Sequence, residues 1–112
     1  MPPSANAPPE LKASAPLFAA LGDQTRLRLV ARLADGPLSI AKLTAGSKIT
    51  RQAVTKHLRV LERVRLVHGA RNGRETLWQL DLRRLEEARR YLDIISKQWD
   101  AALGRLREFV ED

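Results

Sequence analysis

The residues of this chain best equipped for chemistry are cations, and most of their excess lies in one stretch. Between Lys48 and Leu80 stand Lys48, Arg51, Lys56, Arg59, Arg63, Arg65, Arg71 and Arg74, opposed only by Glu62 and Glu75, a net charge of +6. The first 47 residues carry +2 and the segment from Asp81 to Asp112 carries −1, so nearly all of the chain's +7 sits here. Charge that served solubility alone would be spread along the chain. Gathered in one segment it points to a polyanion, because each Lys or Arg set against a phosphate releases a condensed counterion. Thr50, Gln52 and Thr55 are interleaved with these cations. A Gln side chain can bridge adenine and an Arg or Lys can bridge guanine, so the segment holds groups for base edges as well as phosphates.

Other chemistries find little material. There are no cysteines among the 112 residues, which excludes disulfides, thiolate metal sites, thiol redox sensing and a cysteine nucleophile. Of the two histidines, His57 lies on the flank of an apolar stripe and reads as a packed or capping residue. His68 reads as structural, and neither has a third ligand nearby in sequence. No Gly-rich phosphate loop is present, so an enzyme is not expected, and no cofactor or metal is either. No apolar run approaches the roughly 20 residues of a membrane span or forms a signal peptide, which implies a cytoplasmic chain without a membrane partner.

The polar groups need an element to aim them. From a Thr50 cap to about Arg63, at about 100° per residue, Val54, Leu58 and Leu61 fall in one narrow arc and form a buried stripe. Gln52, Lys56, Arg59 and Arg63 lie opposite, with Thr55 at the edge. Ser39 caps a shorter helix, Ile40 to Ala45, with Ile40 and Leu43 inward, and Gly46-Ser47-Lys48-Ile49 turns into the basic helix. Upstream, Asp23 caps a helix with a Leu27, Val30, Ala31 and Leu33 stripe, stopped by Asp35-Gly36-Pro37. Before it, Leu17, Phe18 and Leu21 begin a short helix ended by Gly22. Residues 1–14, with Pro2, Pro3, Pro8 and Pro9, read as a disordered Pro/Ala-rich tail, and residues 15–112 as one domain. After Arg63 the period falls to two. Leu66 to Arg71 and Arg74 to Leu80 read as strands about Asn72-Gly73, a type I′ hairpin signal, with Thr76, Trp78 and Leu80 on one face. Asp81 then caps a final helix over about 82–110.

Two helices about a Gly-containing turn, followed by a hairpin tipped with Arg71 and Arg74, predict a mainly α winged helix-turn-helix. In that geometry the basic helix enters the major groove of duplex DNA and the wing reaches phosphate or the minor groove. The DNA-contacting set is then Lys48, Thr50, Arg51, Gln52, Thr55, Lys56, Arg59, Arg63, Arg71 and Arg74.

Leu21-Gly22-Asp23-Gln24-Thr25-Arg26-Leu27-Arg28-Leu29 resembles the opening signature of the ArsR/SmtB family of bacterial winged-helix repressors. So do Gln52-Ala53-Val54-Thr55-Lys56-His57-Leu58-Arg59-Val60-Leu61 and Gly73-Arg74, in the family's order and spacing from Leu17 to Asp81. The resemblance implies a homodimer that binds an inverted-repeat operator and represses. It makes Gln52, Thr55, Lys56 and Arg59 the base-facing residues, and it brings Leu17, Phe18 and Leu21 of the first helix into the dimer seam. Three departures stand out. Val64-Arg65 replaces the family's Ala-Gly after the basic helix, so Arg65 must take a positive φ or the helix must end differently. Ser39-Ile40-Ala41 stands where metal sensors of the family carry Cys-Val-Cys. Glu86, Glu87 and Asp93 of the last helix have no histidine beside them and read as a solvated face. A regulator that does not respond to metals is expected.

From Leu85 the apolar positions Leu85, Ala88, Leu92, Ile95, Trp99, Ala102, Leu106 and Phe109 alternate in steps of three and four, a heptad pattern. A helix from Arg83 to Val110 would run about 42 Å, more than this domain can cover alone. A partner helix is therefore expected on Leu92, Ile95, Trp99, Ala102, Leu106 and Phe109, with Leu103 and Val110 widening the stripe. Gly104 weakens the helix by about 1 kcal/mol. The alternatives are a helix that packs only on its own domain, a winged helix used for protein–protein contact, and a repressor answering a small organic effector at the dimer interface; Trp99 reads as seam packing, with a ligand-pocket wall as its alternative.

Overall fold

The computed structural model describes residues 9–111. Its elements run α1 (Pro9–Leu21), α2 (Gln24–Leu33), β1 (Leu38–Ser39), α3 (Ile40–Thr44), α4 (Arg51–Arg63), β2 (Val67–Asn72), β3 (Glu75–Leu80) and α5 (Leu82–Glu111). Part of the segment expected as a tail, residues 1–14, is helical. Residues 9–14 are helical, with Pro9 in the first-turn position where a missing N–H costs nothing, and Ser14 is buried; residues 1–8 of that tail lie outside the described residues.

Each helix in the middle of the chain starts on a side-chain cap. Asp23 Oδ1 accepts from the Arg26 amide at 3.0 Å, Ser39 Oγ from Lys42 at 3.2 Å, and Thr50 Oγ1 from Ala53 at 3.1 Å. The Arg26 amide holds the Asp23 carboxyl below the usual carboxylate range; partial burial opposes this, and the Arg26 guanidinium and His57 add to it. Arg32 donates to the carbonyls of Leu43 at 2.9 Å and Lys42 at 3.1 Å, so α2 closes the C-terminal end of the five-residue α3.

One core joins these pieces. Leu17 and Ala20 of α1, Leu29 and Leu33 of α2, Leu43 of α3, Val54, Leu58 and Leu61 of α4, Leu66, Val67, Trp78 and Ala88 are all buried in it. The α4 stripe is as expected. That of α2 is not: Leu29 and Leu33 face inward with Val30 half-buried, whereas Leu27 is 51% exposed and Ala31 is exposed. The Arg26 guanidinium explains the rotation. It turns inward to donate through Nε to the Ala20 carbonyl at the end of α1, and this carries positions 26, 29, 30 and 33 to the inner face.

The sheet has three antiparallel strands in the order β1-β3-β2, with Leu38 opposite Trp78 and Gly69 opposite Trp78 on the other side. β1 was not anticipated, since two residues carry no period. The hairpin also turns one residue later than expected. Asn72 pairs with Glu75, so the loop is Gly73-Arg74, and only Gly73, at φ 65°, takes a positive φ. Gly at the first loop position is the type II′ arrangement rather than type I′.

α4 ends where the sequence departs from its resemblance. Arg65 does adopt the left-handed conformation, at φ 63°, and closes a Schellman motif: Leu66 N–H donates to Leu61 O at 3.0 Å and Arg65 N–H to Glu62 O at 2.9 Å. The nearly buried Arg84 then donates through Nε to the Val64 carbonyl at 2.9 Å and pairs with Glu87 at 2.8 Å. A cation thus sits on the negative end of α4 and fixes α5 to it.

Candidate nucleic-acid interface

The capped start of α4 is the best exposed polar surface of the helix-turn-helix. Gly46, at φ 71°, makes the turn out of α3, and Thr50 spends its hydroxyl on the cap. Arg51, Gln52 and Lys56 are exposed, and with Thr50, Ala53 and Thr55 they line an open depression at the first turns of α4. Thr55 is half-buried and its hydroxyl donates back to the Arg51 carbonyl at 2.8 Å, which uses its proton and leaves the oxygen as an acceptor. Arg63 is exposed on the same side as Gln52 and Lys56, opposite the buried stripe, and Lys48 is exposed in the turn.

The wing lies against this end of the helix. Arg51 shares a second depression with Glu75 and Thr76 of β3 and with Ser39, Ile40 and Ala41, so the start of the basic helix and the turn end of the wing are neighbours. Arg71 and Arg74 are exposed at the hairpin end. Arg59, also expected to face bases, is exposed. Its guanidinium pairs with Glu62 at 2.9 Å and lies 5.5 Å from the centre of the Trp78 ring, turned toward the sheet rather than straight out from the helix. Glu62 and Trp78 were missed as partners in this region. The Arg59–Glu62 spacing of three was a legible signal; the Trp78 contact, between residues 19 apart in sequence, was not.

Residues 21–70 match a family model described as a helix-turn-helix domain. Over 92 residues the chain is 37% identical to the HTH-type transcriptional regulator Rv2034 of Mycobacterium tuberculosis, covering 82% of this chain and 83% of that one. It is 41% identical over 66 residues to the transcriptional repressor SmtB homolog of Synechocystis, covering 59% of this chain and 50% of the relative. Among solved structures, the ArsR-like transcriptional regulator of Rhodococcus superposes with a TM-score of 0.68 at 31% identity, over 89% of this chain and 92% of that one. The chain belongs to the ArsR/SmtB family of winged helix-turn-helix transcriptional regulators.

As a member of that family it is a DNA-binding regulator and not an enzyme. No helix of the described residues is long and apolar enough to cross a membrane. The two histidines have neighbours of ordinary structural kind. His57 Nδ1 lies 3.3 Å from the Arg26 guanidinium and 4.0 Å from Asp23, which ties α4 to the start of α2, and His68 lies beside Gln79 at 3.5 Å. At the position of the family's cysteine motif, Ser39 Oγ is engaged as the α3 cap.

α5 is one unbroken helix of 30 residues, about 45 Å long. Its first turns pack on their own domain: Ala88 and Tyr91 are buried, and Tyr91 meets Phe18 edge-on at 6.4 Å. Farther along, the same face is bare. Leu92, Trp99, Leu103, Leu106, Phe109 and Val110 are all more than half exposed, while Ile95 and Ala102 are half-buried. Of the α1 residues assigned to the seam, Phe18 and Leu21 are half-buried, but Leu17 is fully enclosed by its own chain and is a core residue.

Proposed function

We propose that this regulator is a homodimeric repressor that binds an inverted-repeat operator in the cytoplasm and does not respond to metals. The observation that carries the reading is the exposed Arg51, Gln52, Lys56 and Arg63 surface of a capped helix beside a wing tipped with Arg71 and Arg74. Gln52 and Lys56 read base edges with the Thr55 methyl beside them. Lys48, Arg51, Arg63, Arg71 and Arg74 hold phosphates, and Thr50, which caps the Ala53 amide, sets the start of α4 so that its remaining first-turn amides meet the DNA backbone. The apolar face of α5 beyond Leu92, exposed in one chain, is covered by the same helix of a second copy, with Phe18 and Leu21 at its margin. Similarity to a protein named as a transcriptional repressor supports repression. The absence of cysteine from the sequence and the use of Ser39 as a cap support independence from metals.

The test is a binding series on duplexes selected from random sequence. Lys56→Ala should weaken the selected duplex by about 1–3 kcal/mol and relax preference at one base pair, while Arg74→Ala should weaken all duplexes alike and lower the salt slope by about 1. Variants that bind like the parent would place the interface elsewhere.

A further inference from the structure

We infer that Arg59 is a positioning residue: it holds the wing at its angle to the recognition helix through Trp78 and does not itself read a base. This deepens the operator reading above and rests on it.

Trp78 stands at the junction of four elements. It occupies the central strand β3, opposite Leu38 of β1 and Gly69 of β2, and is only 3% exposed. A Cβ on Gly69 would lie 3.6 Å from the far edge of its indole, so the ring lies across the position where glycine leaves space on β2. The Arg59 guanidinium from α4 lies at 5.5 Å from the ring centre, within the range at which a cation is attracted to the face of an indole. Glu62, one turn along α4, accepts from the same guanidinium at 2.9 Å and fixes its direction. The side chain therefore joins the rigid helix to the middle of the sheet. Arg71, opposite Thr76, lies two pairs outward of this point along the hairpin, and Arg74 lies in the loop beyond it. The two strand residues to Arg71 and the four to Arg74 span about 7–13 Å, so a small tilt at Trp78 moves the tip by a distance that decides whether it meets phosphate.

Two properties set Arg59 apart from Lys56. Its guanidinium already pairs with a carboxylate and lies over an aromatic ring, whereas Lys56 brings an ammonium for which no such partner is seen among the described residues. Reaching a base would also uncover Trp78 and leave the Glu62 carboxylate facing a polyanion, two costs with no gain elsewhere.

The experiment is a double-mutant cycle on the full chain, read by affinity for the selected operator and for a scrambled duplex. A wing competent one-tenth of the time loses about tenfold in its contribution. Arg59→Ala should therefore weaken both duplexes by the same factor, up to about tenfold, with base preference unchanged at every position. In an Arg71→Ala/Arg74→Ala background, where no wing contact remains to be positioned, Arg59→Ala should cost less than about twofold. Arg59→Lys, which keeps a cation over the ring, should recover most of the loss. With Trp99→Phe leaving Trp78 as the single indole, Arg59→Ala should red-shift its emission and Arg59→Lys should not. Relaxed preference at one base pair, or an equal loss with and without the wing cations, would make Arg59 a direct reader and overturn the proposal. Unchanged affinity in Arg59→Ala would overturn it too. A parent chain that prefers no duplex would overturn the operator reading, and the proposal with it.

Discussion

Replacing Arg65 by glycine should stabilise the protein, although the position is exposed and lies outside the core. Arg65 holds φ 63° and closes the end of α4 through the Leu66–Leu61 and Arg65–Glu62 backbone bonds. A side chain in the left-handed region costs about 1–2 kcal/mol, because Cβ crowds the following carbonyl. Glycine removes that cost and returns about 0.5–1 kcal/mol through the freer unfolded chain. The difference is a gain of about 0.5–1 kcal/mol, or a rise in Tm of about 2–8 °C for a domain of this size. Arg65→Ala is the control, since it loses the guanidinium and keeps the strained Cβ, and should stay within about 0.5 kcal/mol of the parent. Thermal unfolding followed by circular dichroism, at one fixed protein concentration for all three chains, reads both numbers. An alanine variant as stable as the glycine variant would refute the reasoning, because the gain would then come from removing the arginine and not from φ.

Three other outcomes follow from the same geometry. Gly69→Ala would bring a Cβ to 2.7 Å from the Thr76 methyl and should cost about 1–3 kcal/mol in urea unfolding, most of it recovered by adding Thr76→Ser. Trp99→Glu with Leu106→Glu changes side chains that are 67% and 60% exposed in one chain, so sedimentation should find a folded monomer with weakened operator binding; a dimer unchanged would place the seam elsewhere. Micromolar Zn²⁺, Cd²⁺ or arsenite should leave operator affinity within about twofold, and a chelator-reversible loss of about tenfold or more would reveal a ligand set not recognised here.

Spacing made the recognition helix legible, because Val54, Leu58 and Leu61 repeat at the helical period and a side-chain cap precedes them. The caps at Asp23, Ser39 and Thr50 were legible for the same local reason. What escaped the sequence depends on distant contacts. The inward Arg26 rotates α2 and exposes Leu27, and no periodicity within ten residues records that. β1 exists only because β3 lies beside it. The II′ turn and the I′ turn differ by one residue of register, and Asn72-Gly73-Arg74 admits both. The helical start of α1 at Pro9 was hidden by proline content that also suits a tail. Arg59 was grouped with the base-facing residues on helical position and on the family resemblance, and its contact with Trp78 needs the folded hairpin. Heptad spacing on α5 put the expected seam from Leu92 onward; the structure leaves that face largely bare and packs Ala88 and Tyr91 on their own domain.

Sequence-specific binding by two linked recognition helices is the central claim, and footprinting tests it most directly. DNA fragments captured by the full chain from its native genome would be recovered, and one enriched duplex footprinted with hydroxyl radicals while the bound mass is measured. Two protected patches are expected on one face of the duplex, about 34 Å or a multiple of one turn apart, with two chains per duplex. No enriched fragment, or a single patch holding one chain, would contradict it.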